Sequence, residues 1–198
     1  MRIVTAQELN CWLATGKVLE QDGRGPKVVH LSDGQLLKIF RPRRRLWLGR
    51  LRPQAQNFAT NAARLQERQI STPTIGECFW LDRSQAISAC LYVPLAGTSL
   101  DRIFHQHRSD FDALLPQLAA FIRQLHQRGI YFRSLHLGNI LLLPQGGFGL
   151  IDFLDLRLKR GPLGSRLIAR NLEHLHRYLL RSQIKDFPWQ ELLRLYRK

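Results

Sequence analysis

Four side chains in the second half of the chain could do chemistry together: Ser134, His136, Asn139 and Asp152. A polar stretch carrying the first three runs into apolar residues 140–143, and Asp152 stands near the end of a second apolar run, 148–153. The turn PQGG between the runs makes them a β-hairpin, which sets Asn139 beside Asp152. An amide oxygen and a carboxylate facing one space form a hard-oxygen site suited to a magnesium ion bridging phosphates. Ser134 could orient a hydroxyl there, but a serine does not accept a proton near neutral pH. His136 reads as a hydrogen-bonded loop residue rather than a catalyst.

The elements that must hold these residues follow from periodicity and turn residues. Residues 17–20, 27–31 and 35–40 read as three strands of an antiparallel meander, separated by DGRGP and SDG. A helix over 54–68 shows Phe58, Ala62 and Leu65 on one face. Residues 78–81 and 86–93 read as two more strands. After Pro94 the pattern turns helical: residues 114–128 carry Leu114, Leu118, Phe121, Ile122 and Leu125 at helical spacing, with Gly129 as C-cap. Helices over 167–181 and 189–197 end the chain. His126, His174 and His176 fall on helices, in surface or capping positions. Strands first and helices second is an α+β order. A boundary near residues 92–97 divides residues 1–93, a small antiparallel-sheet N-lobe, from 94–198, a mainly helical C-lobe.

Composition narrows the partners. The chain has 198 residues, 44% of them hydrophobic, enough for one domain or two small lobes. Its formal net charge of +15 calls for an anionic partner: nucleic acid, an acidic membrane surface or a phosphorylated substrate. No helix-turn-helix, zinc-finger or RNA-binding pattern accompanies the charge, which ranks nucleic acid last. Residues 41–52 interleave arginines with Leu46, Trp47, Leu48 and Leu51, a composition suited to an anionic membrane interface. The C-terminal FPWQELLRLYRK repeats it. Three widely spaced cysteines, Cys11, Cys78 and Cys90, rule against a zinc site or a disulfide framework. No signal peptide and no span-length apolar run is present, so a cytoplasmic protein at a membrane face is expected.

The spacing of the central motifs resembles the protein-kinase pattern H-R-D-L-x-x-x-N followed by D-F-G. Arg133, Leu135 and Asn139 match the first motif; Asp152 and Phe153 match the second, with Leu154 in place of glycine. Lys38 in LLKIF stands where the phosphate-holding β3 lysine belongs. The H-x-G-N stretch at 136–139 looks more like the small-molecule and sugar kinases than the protein kinases. The basic segment after the lysine strand, NAARLQERQISTP at 61–73 and ARNLEHLHRYL at 169–179 look most like the lipopolysaccharide core kinases, which phosphorylate heptose or Kdo sugars of the inner core. Small bacterial toluene-tolerance proteins look similar. The resemblance covers about residues 18–180. It implies a bilobal protein-kinase-like fold, with ATP and Mg2+ as cofactors and Lys38, Gly23, Gly25 and Tyr92 on the nucleotide. Asn139 and Asp152 would hold the metal, and Ser134, Asn139 and Asp152 would form the catalytic set. The acceptor would be an anionic lipid-linked sugar at the inner membrane.

The sequence also departs from that pattern. Ser134 occupies the catalytic-aspartate position, Phe132 the preceding histidine, and Asn61 the glutamate that would pair with Lys38; the glycine-rich loop is reduced to Gly23 and Gly25. A general base contributes roughly 10²–10⁴-fold. Its loss leaves a second reading open, a pseudokinase serving as a binding or scaffold module in envelope biogenesis.

Overall fold

The turn-punctuated first part of the chain folds as a five-stranded antiparallel sheet of order β1-β2-β3-β5-β4. Its strands are β1 (Lys17–Asp22), β2 (Gly25–His30), β3 (Leu36–Phe40), β4 (Thr74–Asp82) and β5 (Ile87–Val93). The computed structural model describes residues 1–42, 46–184 and 186–198. They form two compact units, Met1–Glu67 with Thr72–Leu95, and Arg68–Ser71 with Ala96–Lys198. Three helices accompany the sheet in the first unit: α1 (Ala6–Thr15), α2 (Leu46–Leu51) and α3 (Gln54–Glu67).

Both faces of this sheet carry apolar residues. Val29, Leu37, Ile39, Phe79 and Ala89 form a cluster against which Leu9, Trp12 and Leu13 of α1 pack. On the other face α3 buries Ala55, Phe58, Ala62 and Leu65, the helical stripe expected of it. Each fully buried side chain of the size of Phe58 or Phe79 contributes roughly 1.5–3 kcal/mol. Helix α1 starts at Thr5, whose side-chain oxygen accepts from the Glu8 backbone N–H at 3.2 Å.

The second unit is mainly helical. Helix α4 (Leu100–Gln106) is capped by Ser99, whose Oγ accepts from Arg102 N at 3.3 Å. The long α5 (Arg108–Gln127) supplies the core, burying Phe111, Leu115, Leu118, Phe121, Ile122 and Leu125. Helices α6 (Ser165–Arg181) and α7 (Trp189–Arg197) complete the helical set. Short strands do the positioning. In one small sheet, β8 (Ile140–Leu142) pairs antiparallel with β6 (Thr98–Ser99) and with β9 (Phe148–Leu150). In another, β7 (Ile130–Tyr131) pairs antiparallel with β10 (Arg157–Leu158).

Several boundaries differ from the sequence expectation. Helix α5 begins six positions before residue 114, because its first turns are polar apart from Phe111 and it runs through Pro116. Strand β9 stops at Leu150, short of Asp152. Helices α1 and α2 were not expected, and α4 lies in the stretch after Pro94 that was read as helical without its bounds. Among the described residues no helix is long and apolar enough to cross a membrane.

Candidate active site

The polar loop between β7 and β8 is held from both sides. Upstream, the Phe132 carbonyl accepts from Asn171 Nδ2 of α6 at 2.6 Å and from Leu135 N at 3.2 Å. Asn171 is itself fixed, its Oδ1 lying 3.1 Å from His126 Nε2 while His126 Nδ1 lies 2.7 Å from the Tyr196 hydroxyl. One tautomer satisfies all of this: a neutral His126 donating from Nε2 and accepting the Tyr196 proton at Nδ1. His126 is therefore a buried core group, not the surface or capping residue its helical position suggests. Downstream, a 3-10 turn over Leu137–Asn139 leads into β8, a strand of the small sheet.

Within this frame Asn139 is buried, and its Nδ2 donates to the Ser134 carbonyl at 3.0 Å. That bond fixes the amide's orientation and leaves Oδ1 as the atom available to a cation. The hairpin puts Asn139 next to Ile151, whose N–H donates to the Asn139 carbonyl at 3.0 Å, so Asp152 follows directly on its neighbour. Asp152 is exposed and adopts φ 51°, the left-handed region that non-glycine residues seldom occupy. Such a conformation costs on the order of 1–3 kcal/mol and concentrates at functional sites. It also ends the strand before Asp152, where an extended residue was expected.

Ser134 has a partner the motif comparison did not name. Its Oγ donates to Asp155 Oδ2 at 2.9 Å, and Asp155 Oδ1 is buried with no hydrogen-bond partner among the described residues. A hydroxyl at the expected base position is thus joined to a carboxylate three residues beyond Asp152. The only sequence signal was the D-x-x-D spacing of Asp152 and Asp155.

His136 accepts from Asn139 N through its backbone carbonyl at 3.0 Å, but its ring makes no hydrogen bond among the described residues, unlike the expectation. Its ring stacks on Tyr178 of α6 at 4.4 Å between centroids, and its buried Nδ1 has no partner among the described residues. Tyr178 in turn donates to Asp101 Oδ1 at 3.2 Å. Burial pushes the His136 pKa below its ordinary value, against the pull of Asp152, Asp101 and Asp155. Burial lowers His126 in the same way, and lowers His174 with help from Arg133, Arg170 and Arg177. All three bind a proton less readily folded than unfolded. The unfolded chain therefore takes up more protons below the ordinary value of 6.5, and stability present above that pH is lost as the pH falls through the folded values. The melting temperature should drop between about pH 7.5 and about pH 5.5, in the range where histidine titrates. The drop should be smaller in His136→Gln; a melting temperature flat over this range would contradict the assignment.

The remaining motif residues belong to the first unit. Lys38 lies on β3, register-paired with Val28 and Cys90, and its Nζ stands 5.3 Å from the Phe58 ring centre of α3. Asn61 follows Phe58 by three positions, the spacing of one helix face. Gly23 and Gly25 belong to a tight β1–β2 hairpin in which Arg24 N–H donates to Asp22 Oδ1 at 2.8 Å. Gly25 takes φ +106°, which explains a glycine there; Gly23 faces open space. Tyr92 is buried near the end of β5 with its ring edge-on to Phe58.

The family model for lipopolysaccharide kinases (Kdo/WaaP) matches residues 30–196, which takes in β3 and the whole of the second unit's loop and hairpin. The chain belongs to the lipopolysaccharide kinase (Kdo/WaaP) family. A comparison with curated proteins gave no match. Membership implies a kinase-like fold and ATP as phosphoryl donor, and it agrees with the α+β order of sheet, then helices. Within this kinase family member, the donor set fits a magnesium ion: an amide oxygen oriented by its own Nδ2 contact and a carboxylate next in line, both hard oxygens.

Proposed function

We propose that this chain transfers the γ-phosphoryl group of ATP to a hydroxyl of an inner-core sugar of lipopolysaccharide, working from the cytoplasmic face of the inner membrane. The observation that carries the reading is the Ser134–Asp155 hydrogen bond, because it supplies the proton acceptor that Ser134 alone lacks. Family membership supports the donor and the acceptor class. In this reading Lys38, Gly23, Gly25 and Tyr92 receive the nucleotide. Asn139 Oδ1 and the Asp152 carboxylate would hold Mg2+, which when bound offsets the charge of the phosphates.

The chain's own residues then handle one proton. Ser134 Oγ accepts a hydrogen bond from the acceptor sugar's hydroxyl and aims it. As the sugar oxygen bonds to the γ-phosphorus and the bond from that phosphorus to the bridging oxygen breaks, releasing ADP, the sugar proton passes to Ser134 Oγ, while the Ser134 proton passes to Asp155 Oδ2. The serine is unchanged at the end and Asp155 is left protonated, to release its proton to solvent. The positions of Asn139 and Phe132 are fixed by backbone and Asn171 contacts, so the loop meets its substrate already ordered.

The pseudokinase reading is favoured by the serine itself and predicts nucleotide binding without turnover in any variant at Ser134 or Asp155.

The membrane part rests on α2 and its flanks. Trp47 and Leu51 are 63% and 73% exposed, with Leu46 also exposed and Arg50 beside them. Arg43, Arg44 and Arg45 of the same basic segment lie outside the described residues. The full chain should sediment with vesicles containing anionic lipid and much less with neutral ones. Polybasic attraction of about 1 kcal/mol per basic residue should also weaken as salt is added. Trp47→Ser should reduce the bound fraction; equal binding to both vesicle types, or none, would contradict the interfacial role.

A further inference from the structure

The second unit holds a pocket of 170 Å³ lined by Tyr131, Arg133, Arg157, Lys159, Leu167 and Arg170. Four of these six side chains are cations and none is a carboxylate. Among the described residues, none of the four cations is ion-paired to an acid. The same unit pairs other arginines with acids: Arg108 with Asp112, Arg177 with Glu173 and Arg194 with Glu191. Grouping like charges around one concavity without counter-charge raises the free energy of the folded chain unless an anion enters.

The walls are fixed by backbone. Arg157 pairs with Tyr131 and Leu158 with Ile130 across β7 and β10. The strand continues by a bond from Lys159 N to the Gly129 carbonyl at 2.9 Å. Gly129, at φ +71°, admits this approach: a Cβ there would stand 2.8 Å from the Lys159 carbonyl oxygen. Leu167 and Arg170 come from the start of α6, three positions apart and so on one face. The Tyr131 hydroxyl lies 3.1 Å from His174 Nε2 on the same helix. The guanidinium groups are thus presented from a pinned strand pair, a loop and a helix, directions that converge on one space.

The geometry points to a phosphate-monoester site in this pocket, distinct from the nucleotide and metal residues Lys38, Asn139 and Asp152. Planar guanidinium forks match the oxygens of a phosphate bidentately, and a lysine adds a point charge. Arg133 immediately precedes Ser134, so a phosphate held here lies on the chain segment next to the serine. The inference goes beyond the proposed function and does not depend on it: the pocket residues are neither the proposed nucleotide ligands nor the proposed proton carriers.

The test uses the full chain with inorganic phosphate and with glucose 6-phosphate, each at constant ionic strength, read by thermal shift and by titration calorimetry. Both probes should raise the melting temperature with dose. The exposed pair Arg157→Gln and Arg170→Gln should together weaken binding by at least about 10-fold, the scale of lost charge-assisted hydrogen bonds. Lys38→Ala should leave phosphate binding unchanged. Tighter binding of the sugar ester would assign the pocket to a phosphorylated glycan, and equal binding to the free phosphate group; either supports the site. Chloride giving the same shift, no shift at all, or wild-type affinity in the Arg157→Gln, Arg170→Gln protein would overturn it and leave a solvated basic surface. Loss of phosphate binding in Lys38→Ala alone would place the anion with the nucleotide residues, overturning this site while sparing the proposed function.

Discussion

The Asp155→Asn variant should lose phosphoryl transfer to inner-core oligosaccharide by roughly 10²–10⁴-fold, the contribution of a positioned general base. Asparagine keeps the shape and can still bond the Ser134 hydroxyl, so the loop stays in place while the proton acceptor disappears. Nucleotide binding should be nearly unchanged, because the proposed nucleotide and metal residues are untouched. Ser134→Ala should fall to a similar level, since it cuts the relay between sugar and carboxylate. The double variant should be hardly worse than either single one, as for residues that act as one unit. Steady-state kinetics of the four proteins check this. Full activity in Asp155→Asn would remove the relay, and additive losses would show that Ser134 and Asp155 act separately.

Much of this arrangement was legible in the sequence, for identifiable reasons. Strands β1 to β3 have turn residues between them, so the meander could be read to within two residues at each end, and β5 to within one; β4 begins at Thr74, four residues before the expected start. Helix α3 declared itself through Phe58, Ala62 and Leu65. The hairpin of β8 and β9 followed from PQGG between two apolar runs, and with it the neighbourhood of Asn139 and Asp152. Other elements carried weaker signals. Helix α1 begins T-A-Q-E, a capping-box pattern from Thr5 to Glu8, which the charged and polar content of the segment obscured. Helix α4 shows Leu100, Ile103 and Phe104 at helical spacing, but over only seven residues.

The site residues that sequence reasoning missed are those whose role is a tertiary contact. Nothing local to Asn171 indicates that it will hold the Phe132 carbonyl, 39 positions away. His126 lies on a helix face that continues the apolar stripe, and only its two partners, Tyr196 and Asn171, reveal why an imidazole is buried there. Asp155 was visible as an acid near Asp152, yet its bond to Ser134 depends on how the chain turns after a left-handed Asp152. Motif matching ranked Ser134 as a loss. The carboxylate behind it gives the same serine the proton acceptor that the proposed relay requires.

The central claim, that the Asn139–Asp152 hairpin binds a metal-nucleotide complex, is tested most directly by the thermal stability of the full chain with and without magnesium–ATP. A ligand that binds only the folded state stabilises by about 2.7 kcal/mol at a hundredfold excess over its Kd. For a chain of this size, that corresponds to a rise of roughly 5–10 °C in melting temperature. Asp152→Ala removes the carboxylate and keeps a Cβ at the left-handed position, where the wild type already carries a strain on the order of 1–3 kcal/mol, so the variant should fold and should show no shift. Magnesium–ATP stabilisation that is present in the wild type and absent in Asp152→Ala is the predicted result. A shift of equal size in both proteins, or no shift in either, would contradict the account.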